Sequence, residues 1–278
     1  MKSGDLYKEV TQVNTIEGIT GIFESIASMR IARIKSKVDA SQRFFEELLA
    51  IYSQLRVDPS SRMTANNGPR RKKANVFLVL TSQGGLSGDI DERIVARVLQ
   101  DYDPETTDLL VIGSHGANLL SAANVAIEHT FKLPDTDEGV DEGPIIQALS
   151  GYQNPSVYYQ KYVSLAVQEP DRINLLSRVQ ALGNDSVGNE VISVRDYVFE
   201  PSVDEVVGYL EGVMLEIALA QVILDTRLAQ YAARFSAMSG SHKRAQELQK
   251  VSVLNYNRSK RRENDDRLKE VITAMKLS

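Results

Sequence analysis

Apolar residues in the first 57 positions keep helical spacing. Leu6, Val10, Val13, Ile19, Phe23, Ile26, Ile34, Val38, Phe45, Leu49 and Tyr52 stand mostly three, four or seven apart, and no proline occurs before Pro59. The pattern predicts one helix over residues 4–57, on the order of 80 Å long at the helical rise per residue. A compact domain cannot bury such a rod, so it needs a partner helix. The far end of the chain offers one. Ser202-Val203-Asp204-Glu205 follows Pro201 and reads as a capping box, its hydroxyl and carboxylate answering two unpaired backbone donors. Beyond it Val206, Leu210, Val213, Ile217, Ala220, Leu224, Leu228, Tyr231, Phe235 and Met238 alternate steps of four and three, the seam of a coiled coil. Two successive fours at Ala220, Leu224 and Leu228 form a stutter that relaxes the supercoil locally. A second helix is expected over residues 204–275.

Between these helices the pattern changes. Arg62 to Lys73 is polar and basic, with Asn66-Asn67-Gly68-Pro69 as a turn, and reads as a linker. Asn75–Thr81 and Leu109–Gly113 are β-rich runs, each followed by a helical pattern, Asp89–Gln100 and Ala117–Ala126. Strand, helix, strand in this order implies a sheet that is at least partly parallel. Ser156–Val167, Ile173–Leu182 and Val191–Phe199 read as further strands. The expected fold class is α/β with long terminal helices: an antiparallel two-helix coiled coil with an α/β domain inserted. Its divisions are an N-terminal helix over 1–60, a globular domain over 74–200 and a C-terminal helix over 202–278. Two helices folded back on the central domain would explain such a long seam less well.

Composition removes whole classes of function. The net charge of −5 argues against electrostatic binding to nucleic acid or anionic lipid. No apolar stretch approaches the eighteen residues of a membrane span, and the start lacks a signal or transit pattern. Cysteine is absent, which excludes disulfides, thiolate metal sites and a cysteine nucleophile.

Candidate chemistry is sparse. Gly84-Gly85-Leu86-Ser87-Gly88 follows a strand and precedes a helix, where phosphate is often held. It matches neither the dinucleotide fingerprint nor a Walker loop, and reads as a tight strand-to-helix turn. His115, His129 and His242 have no metal-binding spacing, and no nucleophile elbow is present. Arg258–Glu270 holds ten charged residues in thirteen, of both signs, as a solvated helix face would. Just before it the apolar seam fades at His242, Ala245 and Ser252, to return at Leu268, Val271, Ile272 and Met275. Arg30, Arg33, Lys35 and Lys37 cluster on the first helix.

Several stretches resemble one family. Ile19-Thr20 through Met29-Arg30 to Arg33 resembles its N-terminal helix segment. Tyr197-Val198-Phe199-Glu200-Pro201 resembles its aromatic-x-aromatic-Glu-Pro turn. Ala232-Ala233-Arg234-Phe235-Ser236-Ala237-Met238 and Tyr256-Asn257-Arg258-Ser259-Lys260-Arg261 resemble two runs of its last helix. Their order and spacing over nearly the whole chain resemble the gamma subunit of F-type ATP synthases. Two places depart: Ser82-Gln83-Gly84-Gly85 stands where the family has Ser-Asp-Arg-Gly, and Arg261 where it has Gln.

The resemblance implies a Rossmann-like α/β domain at the foot of the coiled coil. It implies a rotor without catalytic residues, cofactor or metal, in a complex peripheral to the cytoplasmic face of a bacterial plasma membrane. The partners it implies are alpha and beta subunits around the helices, with epsilon and the c ring at the foot. Phe23, Arg30, Arg33, Lys260, Arg261 and Asp265 would meet the alpha/beta ring, and Tyr197, Phe199 and Glu200 the c ring. On this view the seam fades where the last helix outruns its partner and meets the collar. The rivals are a dinucleotide enzyme with helical arms, which lacks the glycine fingerprint, and a related coiled-coil scaffold or adaptor outside ATP synthesis.

Overall fold

The computed structural model describes residues 3–54, 73–132, 140–175 and 203–277. The terminal helices are α1 (Ser3–Gln54) and α5 (Val203–Leu277). Between them come β1 (Asn75–Leu80), α2 (Ile90–Asp101), β2 (Thr107–Ile112), α3 (Ser114–Ala122), β3 (His129–Phe131), α4 (Gly143–Leu149), β4 (Asn154–Tyr162) and β5 (Gln168–Asn174). The expected class, α/β with long terminal helices, is the observed one. Contacts divide the chain into two compact units, Met1–Ser28 with Arg234–Ser278, and Met29–Ala233.

In the larger unit the sheet order is β3-β2-β1-β4-β5. The first four strands are parallel and β5 runs antiparallel to β4. The chain steps outward from β1 through β2 to β3, then returns to the other side of β1 as β4. Helices therefore cover both faces, and the strands read as nearly continuous apolar runs. Phe77, Val79, Leu109, Val111 and Tyr158 pack under α2 and α3, through Ile94, Val95, Val98 and Leu120. The opposite face, with Val76, Leu78, Leu80, Leu110, Ile112 and Val157, packs under Ile145 and Leu149 of α4. The terminal helices complete this second layer with Phe45 of α1 and Met214, Ala218, Leu219, Val222 and Ile223 of α5.

This layer corrects the expected seam. Val206, Leu210, Val213, Ile217, Ala220 and Leu224 are only half-buried. The sheet claims the neighbouring row instead, because it offers more apolar area than a single helix can. A similar shift occurs on α1, where Ile19 and Ile26 are exposed while Leu6, Thr20, Ala27 and Ile34, with half-buried Val13, form the inner row at seven-residue steps. The strand expected over 156–167 ends at Tyr162 and a hairpin turn follows. That turn, Val163-Ser164-Leu165-Ala166-Val167, contains no glycine, proline, asparagine or aspartate, and its one turn-forming residue is Ser164, whose hydroxyl accepts from Val167 N–H at 3.1 Å. It closes through Ser164 N–H donating to Val167 O (2.9 Å) and the Gln168 amide donating to Ser164 O (2.9 Å). β3 and α4 were too short to show a period, and α3 starts at Ser114 rather than Ala117. The strand expected at 191–199, the basic linker at 62–72 and Ser202 of the capping box lie outside the described residues.

The smaller unit is an antiparallel helix pair. Moving along α1, Ser3 meets Glu263, Tyr7 meets Tyr256, Asn14 meets Gln249 and Glu17 meets His242. The inner positions of α5 here are Met238, His242, Ala245, Gln249, Ser252, Tyr256 and Ser259, in an unbroken alternation of four and three. The seam does not fade because α5 outruns its partner, as expected from sequence. It continues and turns polar.

One buried group gives this fold a pH signature. Tyr158 is fully buried and donates its hydroxyl to Asp101 at 2.8 Å. Burial first, and then that hydrogen bond, push the phenol well above its ordinary value near 10. A raised pKa favours the folded state fully below the unfolded value, and the benefit is lost as pH rises from there toward the folded value. Tyr158→Phe is expected to cost about 0.5–1.5 kcal/mol at neutral pH. It should also soften the decline in stability above pH of about 10. Urea melts at pH about 7 and about 10.5 check this, and an equal loss at both would show that the phenol does not drive the alkaline decline.

Candidate functional site

Two places carry polar groups in an arrangement that needs explaining. The first is the crevice at the carboxyl ends of β1 and β4, where the winding of the sheet reverses and open α/β sheets bind ligands. β1 runs into Thr81 and Ser82, the glycine loop follows, and α2 brings Asp91 back beneath it. Asp91 is 1 % exposed. Its carboxylate accepts from Ser82 N–H at 3.2 Å, the Ser82 hydroxyl, the Gln160 amide at 2.7 Å and His115 Nδ1 at 2.7 Å. Gln160, on β4, accepts in turn from the Gln230 amide of α5 at 2.9 Å. Four donors thus satisfy a carboxylate that burial alone would penalise.

Serine, histidine and aspartate meet here, but in the wrong order for nucleophilic catalysis. A hydrolytic triad places the imidazole between hydroxyl and carboxylate, so that it can take the serine proton. Here the carboxylate stands in the middle and the Ser82 hydroxyl already donates to it. The start of α3 offers no free donors for a phosphate either. At the start of α3, His115 N–H donates to Ser82 O (3.1 Å) and Gly116 N–H to Thr81 Oγ1 (3.2 Å). These two α3 amides are spent on the β1 loop. Gly113 and Gly116 make this approach possible. Gly113 has φ of 100°, and a Cβ there would overlap the Thr81 carbonyl and lie 2.7 Å from Ser82 O. A Cβ on Gly116 would overlap the Thr81 side chain. The glycine loop is a turn, as its composition suggested, and α5 plugs the crevice behind it. Among the described residues no group of histidines and carboxylates is placed to hold a metal. Nor is any described helix long and apolar enough to cross a membrane.

The second place is the smaller unit, whose helices are joined largely by polar groups. Glu263 accepts from both the N–H and the hydroxyl of Ser3, at 2.8 and 2.6 Å, and so caps the start of α1 from the other helix. Ser252 donates to Glu9 at 2.9 Å and Gln249 to Asn14 at 2.8 Å. His242 Nδ1 donates to the Glu17 carbonyl at 3.0 Å, and its Nε2 accepts from Gln246 at 3.1 Å. The imidazole lies against Gly21, where a Cβ would come within 3.2 Å of the ring. Meanwhile apolar side chains face outward. Ile16, Ile19, Ile22 and Ile26 are exposed on α1, and Leu248, Val251 and Leu254 on α5. Past Glu263, Leu268, Val271, Ile272 and Met275 form an exposed row at spacings of three, one and three, with Met275 73 % exposed.

The residues expected to make contacts are scattered over this frame. Phe23 is half-buried in the smaller unit. Lys260, Arg261 and Asp265 are exposed there, Lys260 with its ammonium 5.6 Å from the Tyr256 ring. Arg30 is half-buried and Arg33 exposed in the larger unit. Tyr197, Phe199 and Glu200 lie outside the described residues. Sequence reasoning missed Asp91, Gln160 and Gln230. They come from three elements 69 and 70 residues apart, and a buried glutamine looks like a surface glutamine until its neighbours are known.

Comparison with known proteins adds independent findings. The family model described as ATP synthase matches residues 3–276. The chain is similar to the ATP synthase gamma chain of Mesoplasma florum, with 21% identity covering 97% of this chain and 96% of that one. It is similar to the ATP synthase gamma chain of Roseiflexus castenholzii at 27% identity, covering 92% and 91%. In fold it is similar to a chain of the rotor of the Euglena gracilis mitochondrial ATP synthase, with TM-score 0.60 and 14% identity, covering 93% of this chain and 98% of that one.

The packing around Thr81 predicts a sharp contrast between glycines. Gly113→Ala forces an L residue into a left-handed conformation against a carbonyl and should cost about 1–3 kcal/mol or more. Gly84→Ala, where a Cβ would meet nothing within 4 Å, should stay within about 0.5 kcal/mol of the parent. Urea midpoints compare the two, and equal effects would refute the close approach described here.

Proposed function

The chain belongs to the gamma-subunit family of the F-type ATP synthases and is a rotor of the central stalk, and from that premise we propose that it couples c-ring rotation to ATP turnover without a catalytic site of its own. The observation that carries the proposal is the smaller unit. An ordinary coiled coil hides its apolar groups in the seam. This one bonds its helices largely through polar groups and turns isoleucines, leucines and valines outward. Such a surface suits a rod enclosed by other proteins.

The enclosing ring is one of alpha and beta subunits, and ATP chemistry belongs to the beta subunits. Each orientation of an asymmetric shaft touches the three beta subunits differently. The difference in contact energy shifts their conformational equilibria in turn, and by linkage their occupancy drives the shaft in hydrolysis. Phe23, Arg30, Arg33, Lys260, Arg261 and Asp265 are the proposed contacts with the ring. The α/β domain is the foot, with epsilon and the c ring as partners and Tyr197, Phe199 and Glu200 as the foothold. The division into a helix over 1–60, a domain over 74–200 and a helix over 202–278 belongs to this proposal. So does a position at the cytoplasmic face of a bacterial plasma membrane, held there only through the complex. Tagged chain purified from its own cells should bring down alpha, beta, epsilon and c subunits. Recovery without them would favour a scaffold role.

Two substitutions test the contacts. Replacing Tyr197, Phe199 and Glu200 together by alanine should uncouple proton pumping from ATP hydrolysis while the chain still assembles. Normal pumping by vesicles carrying the triple variant would remove these residues from the foothold. Arg261→Glu should slow hydrolysis by the assembled complex a few-fold, since partly solvated ion pairs are worth about 0.2–1 kcal/mol. A compensating reversal on the partner should restore part of the rate, whereas unchanged turnover would make this segment a solvated helix face only.

A further inference from the structure

A rotor must not slip where its globular domain grips its long helix. Most of that grip is apolar. Met214, Ala218 and Val222 rest on the sheet, and Ala229 and Ala233 lie against Ile90. Apolar contact is strong but non-directional, and small side chains such as these alanines offer little resistance to a helix turning about its axis. Hydrogen bonds resist rotation because they need both distance and angle. Gln230, 7 % exposed, makes such a bond within this apolar setting.

The bond also has a fixed polarity. Asp91 accepts from Ser82 and His115, and Gln160 turns its amide N–H toward it too, at 2.7 Å. The Gln160 carbonyl oxygen is then left to accept, and Gln230 has to donate, at 2.9 Å. Ser82 and His115 hold Asp91 from the β1 loop and from α3. Four segments of the α/β domain are therefore linked, through Gln160, to one side chain of α5. Burial of Asp91, Gln160 and Gln230 keeps water from replacing the bonds that link them. If burial alone mattered, an apolar residue at 230 would serve better than an amide that has to be satisfied.

We infer that the Gln160–Gln230 hydrogen bond, anchored through Asp91 on Ser82 and His115, is a torsional latch that passes torque between the α/β domain and α5. The inference rests on the rotor function proposed above, and Gln230 is a positioning residue within it.

The test uses the assembled complex of this chain with its alpha/beta ring fixed to a surface. The chain has no cysteine, so Glu105→Cys on the exposed β2 side of the domain gives a single attachment point for a bead. The readout is the angular variance of the bead while the enzyme waits for ATP, together with unloaded hydrolysis. Gln230→Leu keeps volume and loses the bond. It should leave hydrolysis near the parent rate and raise the variance by about twofold or more. Gln160→Leu should do the same. The double variant should add nothing further, because either substitution already breaks the chain between Asp91 and Gln230. Parental variance in both single variants, or additive variances in the double, would overturn the latch. Should Gln230→Leu fail to assemble, Gln160→Leu decides the matter with α5 unaltered. A parent complex whose bead does not rotate on ATP would instead defeat the rotor function itself, whatever the variants do.

Discussion

A helix of 75 residues has more surface than any one core can cover, and most of what is distinctive in this protein follows from how α5 is covered along its length. From Met214 to Ala233 the cover is a sheet, and α5 lays a row of methionine, alanine, leucine, valine and isoleucine against it. From Met238 to Glu263 the cover is a single antiparallel helix, which offers far less apolar area. Here the inner row becomes His242, Ala245, Gln249 and Ser252. From Leu268 onward the apolar row lies exposed. Each change of cover leaves its print in the residues that face it.

The seam of the smaller unit is polar, and that fixes its register. Burying polar groups between two helices costs stability relative to leucines, but every bond between them can form in one register only. Ser3 on Glu263, Glu9 with Ser252, Asn14 with Gln249 and the His242 ring against Gly21 all demand the same alignment. A pair held by leucines could slide by a heptad; this one cannot do so without breaking its seam. The apolar groups released from the seam face outward, where a partner can bury them.

The α/β domain carries the winding of a nucleotide-binding fold. The crevice at the β1/β4 reversal is closed by the protein's own groups: Thr81 and Ser82 take up the α3 amides, Asp91 binds four donors, and Gln230 enters from α5. Fold alone would have suggested an enzyme. The order serine, carboxylate, histidine rules out a hydrolytic triad at this cluster.

The sequence by itself determined the two long helices, because a seam repeated over dozens of residues is a local signal that no neighbour can erase. It likewise determined the α/β insertion and, through Ile19-Thr20, Glu200-Pro201 and Tyr256-Asn257, the family. Tertiary structure alone decided which side of each helix is inside. Ile19 and Ile26 fit a buried row on periodicity, yet Thr20 and Ala27 occupy it, because the facing residues include His242 and call for small neighbours. The hairpin at 163–167 was hidden for a different reason, since a lone serine is a weak turn signal and the Gln168 side chain supplies the rest of the hold. The Asp91–Gln160–Gln230 chain was hidden most completely. Whether a glutamine is a solvated surface group or one link of a buried network depends on what stands within 3 Å of its amide. That is set by how distant segments pack, which no local stretch of sequence encodes.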